Sequence, residues 1–103
     1  MKWIFIFLIC FTFSSGCTSS RKALLYNEYA FYLVKTEHYK EALFYLLKAD
    51  AKEEDYRIKN NIALCYEALG DHEKADAYYR EGMGLKKTKT LKDNYEKFKQ
   101  DHP

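Results

Sequence analysis

The chain has 103 residues, enough for one domain and not two, and its 17 Lys+Arg nearly cancel its 15 Asp+Glu. A net charge of +2 is too small to mark a nucleic-acid partner. One proline, at Pro103, four glycines and few β-branched residues after residue 20 argue against a sheet protein and leave long helices unopposed.

The first element is an address. Lys2 supplies one positive charge, Trp3 to Phe13 form an apolar run of 11 residues, and Ser14-Ser15-Gly16 are small residues ahead of Cys17. A basic start, a short apolar stretch and small residues before a cut predict a secretory signal peptide over residues 1–16. The run falls short of the roughly 20 residues that span a bilayer, so an uncleaved N-terminal anchor is the lesser alternative.

Ser15-Gly16-Cys17 resembles the lipobox of bacterial lipoproteins, although Ser14 stands where that family usually has an aliphatic residue. The resemblance implies that Cys17 carries a diacylglyceryl group on sulfur and becomes the new N-terminus. Residues 17–22 would then be a lipidated tether, since two or more acyl chains anchor a protein stably. Cys10 leaves with the signal and Cys65 is left alone, so neither an internal disulfide nor a cysteine metal site is expected. Cys65 reads as a small buried hydrophobe.

From residue 23 the sequence repeats. A shift of 33 residues sets Leu25 on Ile58, Asn27 on Asn60, Tyr29 on Ile62, Ala30 on Ala63 and Leu33 on Tyr66. The same shift sets Ala42 on Ala75, Tyr45 on Tyr78, Leu46 on Tyr79 and Ala49 on Gly82. Small residues meet small ones and large apolar ones meet large ones, the mark of a duplicated unit. In the first unit Leu25, Tyr29 and Leu33 form one stripe, and Tyr39, Ala42, Leu43, Leu46 and Leu47 a second. In the other unit the stripes are Ile58, Ile62, Tyr66 and Leu69, then Ala75, Tyr78, Tyr79 and Met83. Each predicts an amphipathic helix with that stripe toward the core. Gly70-Asp71 predicts a left-handed break followed by a helix cap, whereas Glu37-His38 at the matching place predicts a poorer turn. A further shift carries Ile58, Ile62 and Cys65 onto Leu91, Tyr95 and Phe98, which predicts a last helix over 90–100 with Thr90 as its N-cap.

Lys59-x2-Ile62-Ala63-x2-Tyr66 followed by Ala75-x3-Tyr79 resembles the tetratricopeptide repeat, with its W-x2-L-G-x2-Y and A-x3-F positions on two helices. Tyr26-x2-Tyr29-Ala30-x2-Leu33 followed by Ala42-x3-Leu46 is similar to it. The resemblance covers residues 23–87, with Glu54 and Lys87 at the usual proline and a period one residue short. It implies an all-α domain over 23–100: two antiparallel helix pairs, at 23–55 and 56–88, and a capping helix at 90–100, together a short α-solenoid. It also implies that the first helix of each pair lines a concave groove, at Leu24, Asn27, Phe31, Arg57, Asn60, Leu64 and Glu67. Matched apolar residues, Phe31 and Leu64, framed by amides that both donate and accept, suit a peptide or helix. Packing of Phe31 and Leu64 against the tether or a second copy is the competing use. The lysine–asparagine carboxylate clamp of the chaperone-binding members is not reproduced, because Phe31 and Leu64 stand where asparagine is required.

No constellation for chemistry stands beside this surface. His38, His72 and His102 have no metal-ligand spacing, and Gly82-Met83-Gly84 lacks the lysine and strand of a phosphate loop. No nucleophile–base pair is present, so neither an enzyme nor a cofactor is expected. Lys86 to Lys99 form a basic stretch diluted by Asp93 and Glu96, read as a solvated face of the cap. The ten tyrosines fall mostly on the apolar stripes, so no nucleic-acid partner is expected. The expected function is a scaffold or adaptor in the bacterial envelope, lipid-anchored and bound to an envelope protein or peptide segment. Thr18, in place of the aspartate that retains many lipoproteins at the inner membrane, favours the periplasmic face of the outer membrane. Resemblance to larger tetratricopeptide lipoproteins suggests assembly of a secretion, pilus or DNA-uptake apparatus. The alternative is a structural homo-oligomer, such as a homodimer, because about three repeats are commonly needed for a self-sufficient core.

Overall fold

The computed structural model describes residues 20–103. The signal peptide read over 1–16, the lipidation site Cys17 and the start of the tether lie outside the described residues. The described residues form five helices and no strand: α1 (20–35), α2 (Tyr39–Lys52), α3 (Tyr56–Ala68), α4 (His72–Leu85) and α5 (Lys89–Asp101). None is long and apolar enough to cross a membrane.

Three-residue links reverse the chain between successive helices. Within the second pair, Gly70 takes φ +84°, which lets Asp71 N–H reach Tyr66 C=O at 2.9 Å and Gly70 N–H reach Glu67 C=O at 3.1 Å. The first pair repeats both bonds, His38 to Leu33 at 2.8 Å and Glu37 to Val34 at 3.1 Å, with Glu37 at φ +63°. A side chain in that region costs about 1–2 kcal/mol. The caps differ likewise. Asp71 accepts from Lys74 N–H at 3.2 Å, whereas His38 makes no side-chain cap for α2. Asp55 caps α3 by accepting from Arg57 N–H at 2.8 Å. For α5 the cap is Thr88, not Thr90: its extended backbone brings the hydroxyl to Leu91 N–H at 3.2 Å, while Thr90 lies inside the first turn.

Packing follows the 33-residue shift. Ala30 and Leu33 of α1, Ala42, Leu46 and Ala49 of α2, and Ile58, Ile62 and Cys65 of α3 build one core. Ala63 of α3, Ala75 and Tyr79 of α4, and Leu91, Tyr95 and Phe98 of α5 build the next. Each core therefore joins a first helix, a second helix and the following first helix. Small residues permit the approach: a Cβ on Gly82 would come within 3.0 Å of Leu91 Cδ2 and 3.2 Å of Lys59 Cβ. The result is a short all-α solenoid of two helix pairs and a capping helix.

Three expected stripes are corrected: Leu47 of α2 and Leu69 just past α3 are exposed, and the α1 stripe departs most. Leu25 and Tyr29 are exposed, and α1 packs instead through Ala23, Ala30 and Leu33. In α3 the matching Ile58 and Ile62 are buried against the second helix of the pair before, and α1 has no such neighbour among the described residues.

Candidate protein-binding groove

The first helices stand side by side, and their inner faces enclose a groove of about 410 Å³. It is lined by Asn27 and Phe31 of α1, by Tyr56, Arg57 and Asn60 of α3, and by Thr90 at the start of α5. Four of the seven groove positions read from the sequence converge here: Asn27, Phe31, Arg57 and Asn60. The other three do not. Leu24 is exposed outside the groove, Leu64 packs on the second core beside α5, and Glu67 accepts the Tyr79 O–H at 3.4 Å.

The asparagines have a role that the sequence reading missed. Asn61 Nδ2 donates to Asn27 Oδ1 at 2.9 Å, and Asn94 Nδ2 donates to Asn60 Oδ1 at 3.0 Å. Both bonds link one first helix to the next, so Asn61 and Asn94, themselves 33 apart, extend the repeat into a ladder. That shift was the available signal. The ladder occupies a carbonyl lone pair on Asn27 and Asn60, so these amides are chiefly donors toward a bound chain.

Arg57 forms the rim. Its Nε and Nη2 grip both oxygens of Asp55, at 2.9 and 2.7 Å. The side-chain hydrogen bonds from Arg57 hold the Asp55 carboxyl below its ordinary range, and the same bonds raise the guanidinium. The cation is thereby fixed at the rim. Phe31 is 47 % exposed, with Lys35 Nζ 4.6 Å from its ring centre. The groove thus offers an apolar ring, amide donors and a guanidinium already paired with Asp55, with Glu28 also in its lining.

Two buried groups near these helices could suggest chemistry and instead serve structure. Lys59 occupies the tryptophan position of the repeat motif, and its Nζ lies 3.0 Å from carboxylate oxygens of both Asp50 and Glu81. Desolvation, the largest influence, pulls its pKa down, but the hydrogen bonds to Asp50 and Glu81 outweigh it and the net shift is upward. Lys59 is therefore a charged staple between α2 and α4. Burial pushes the Cys65 thiol up to about 12, which leaves it protonated and unreactive. Among the described residues no group of three or more His, Cys, Asp or Glu could hold a metal ion.

A tetratricopeptide repeat family model matches residues 56–89, which span α3, α4 and the first residue of α5. No curated protein and no solved structure matches the chain. Repeats of this kind are typically non-catalytic scaffolds for contact with other proteins. Residues 56–89 are thus similar to a tetratricopeptide repeat and lie within a short all-α solenoid whose first helix pair follows the same 33-residue pattern.

Proposed function

We propose that the chain is a non-enzymatic protein-binding scaffold of the bacterial cell envelope, tethered to a membrane through lipid on Cys17. The groove takes an extended segment of an envelope protein. The observation that carries this reading is the placement of exposed Phe31 between Asn27, Asn60 and Arg57 in one concave face of about 410 Å³. An extended peptide presents backbone carbonyls to amide donors and an apolar side chain to Phe31. Ser15-Gly16-Cys17 after an apolar run supports the anchor, and assembly of a secretion, pilus or DNA-uptake apparatus is the setting that fits it.

Affinity purification of the full chain from membranes tests the groove. Phe31→Asp and Asn60→Ala should each lose the bound envelope protein while helicity by circular dichroism is unchanged; retention of that protein by both variants defeats the reading. The anchor has its own test. Cys17→Ser should abolish incorporation of an alkyne-tagged fatty acid, and incorporation that persists removes Cys17 as the lipid site.

A further inference from the structure

The repeat leaves one of its own surfaces unmatched. Each later first helix buries three residues in a core shared with the second helix before it. These are Ile58, Ile62 and Cys65 with α2, and Leu91, Tyr95 and Phe98 with α4. The 33-residue shift carries these triads back to Leu25, Tyr29 and Tyr32 of α1, which are 63, 45 and 60 % exposed. The patch continues onto α2. Tyr29 meets Tyr45 edge-on with ring centres 4.9 Å apart, Tyr45 meets Phe44 at 5.3 Å, and Phe44 is 54 % exposed. Ala77 and Arg80 stand in α4 where α2 has Phe44 and Leu47, so this apolar face belongs to the first unit alone. A contiguous exposed apolar face at the edge of a solenoid marks an interaction surface.

We propose that the open face of α1 docks one helix of another polypeptide, standing where the second helix of a preceding repeat would stand. That helix carries a small residue, a large apolar residue four positions on, and a second small residue three beyond. The molecule contains two examples of the fit. Ala42-x3-Leu46-x2-Ala49 covers α3, and Ala75-x3-Tyr79-x2-Gly82 covers α5. The small positions are required by close approach, as the space at Gly82 shows. They are needed still more against Leu25, Tyr29 and Tyr32, which are bulkier than Ile58, Ile62 and Cys65 taken together.

No stretch of residues 1–19 carries the small-x3-large-x2-small pattern. Residues 6–19 fall in register with α2 but place Ile9 where Ala42 and Ala75 stand. In a second copy the required pattern on α2 and α4 is turned into that copy's own cores, and α5 has neither alanine nor glycine. Head-to-tail stacking of copies is opposed as well. The next rung of the asparagine ladder would set Glu28 against Asp93, two carboxylates where each existing rung pairs a donor with an acceptor. None of Leu25, Tyr29 and Tyr32 lines the groove, so this docking site stands apart from the peptide-binding reading.

Photo-cross-linking of the full chain in its native host tests it, with p-benzoylphenylalanine replacing Leu25, Tyr32 or, as an exposed control, Ala77. The expected result is an adduct at Leu25 and Tyr32, absent at Ala77, whose sequenced peptide comes from another protein and carries the small-x3-large-x2-small pattern. Tyr29→Asp in the same chain should lose the adduct, and Phe31→Asp should keep it. Leu25→Lys, read with the Tyr32 label, replaces Tyr29→Asp should that variant lose helicity. An adduct with lipid, with a second copy or with residues 1–19, a peptide without the pattern, or no adduct overturns the proposal.

Discussion

The two ends of the solenoid carry the same repeat position and treat it oppositely. At the C-terminal end Leu91, Tyr95 and Phe98 are buried, and α5 turns Lys92, Glu96, Lys99 and Gln100 to solvent. At the N-terminal end of the described residues, Leu25, Tyr29 and Tyr32 are exposed. Helical periodicity assigns a residue to a face of its own helix; whether that face is core depends on a neighbour. Phe31 and Leu64 teach the same lesson within the groove. They match across the 33-residue shift and each is followed by a further first helix, yet Leu64 packs on the second core while Phe31 stays 47 % exposed in the groove.

Truncating one matched pair probes that contrast most strongly. Phe98→Ala should cost about 3–5 kcal/mol in denaturant unfolding, and Tyr32→Ala, at the same repeat position, about 0.5 kcal/mol or less. Equal costs would show that Tyr32 is covered within the chain after all. Lys59→Met comes next, with a loss of about 2–4 kcal/mol because the half-buried Asp50 carboxylate is left without its cation. A companion Asp50→Leu should restore much of it. Since the Lys59 pKa is raised on folding, its contribution is full below the ordinary lysine value of about 10.4 and fades as pH rises through the higher folded value. The gap between wild type and Lys59→Met should therefore narrow in strong alkali.

Asp55→Ala removes the α3 cap and should cost about 1–2 kcal/mol at neutral pH. Here the folded pKa is lowered, so the contribution is full above the ordinary aspartate value of about 3.9 and is lost as pH falls through the lower folded value. Urea midpoints of wild type and variant should converge in acid. The smallest effect belongs to the ladder: Asn61→Ala and Asn94→Ala should each cost about 1 kcal/mol. Similar values for the two would show that the ladder is as firm beside the open end as beside the cap.

Much of this architecture was legible in the sequence because small and large residues recur in one register. That register locates both cores, the turn at Gly70 and the last helix. It also brings Asn27, Phe31, Arg57 and Asn60 together, since first-helix positions one repeat apart become neighbours in space. What escaped depends on pairing across helices. Asn61 looks like a solvated amide until Asn27 is placed opposite, and Lys59 looks like a surface charge until Asp50 and Glu81 close on it. Thr88 and Thr90 are equivalent in composition, and only the backbone angle at Thr88 selects the cap.

Glu37 gives the molecule a direction in time. The first helix pair closes on a left-handed glutamate and an uncapped α2, whereas the second closes on Gly70 and Asp71. Local opening is cheapest where a turn is strained and a helix face lies bare. Amide exchange should accordingly run fastest along α1 and slowest along α3 and α4, and Glu37→Gly should slow it in α1 by removing about 1–2 kcal/mol of backbone strain. The helix that offers itself to a partner is thus the one held least firmly by the rest of the chain.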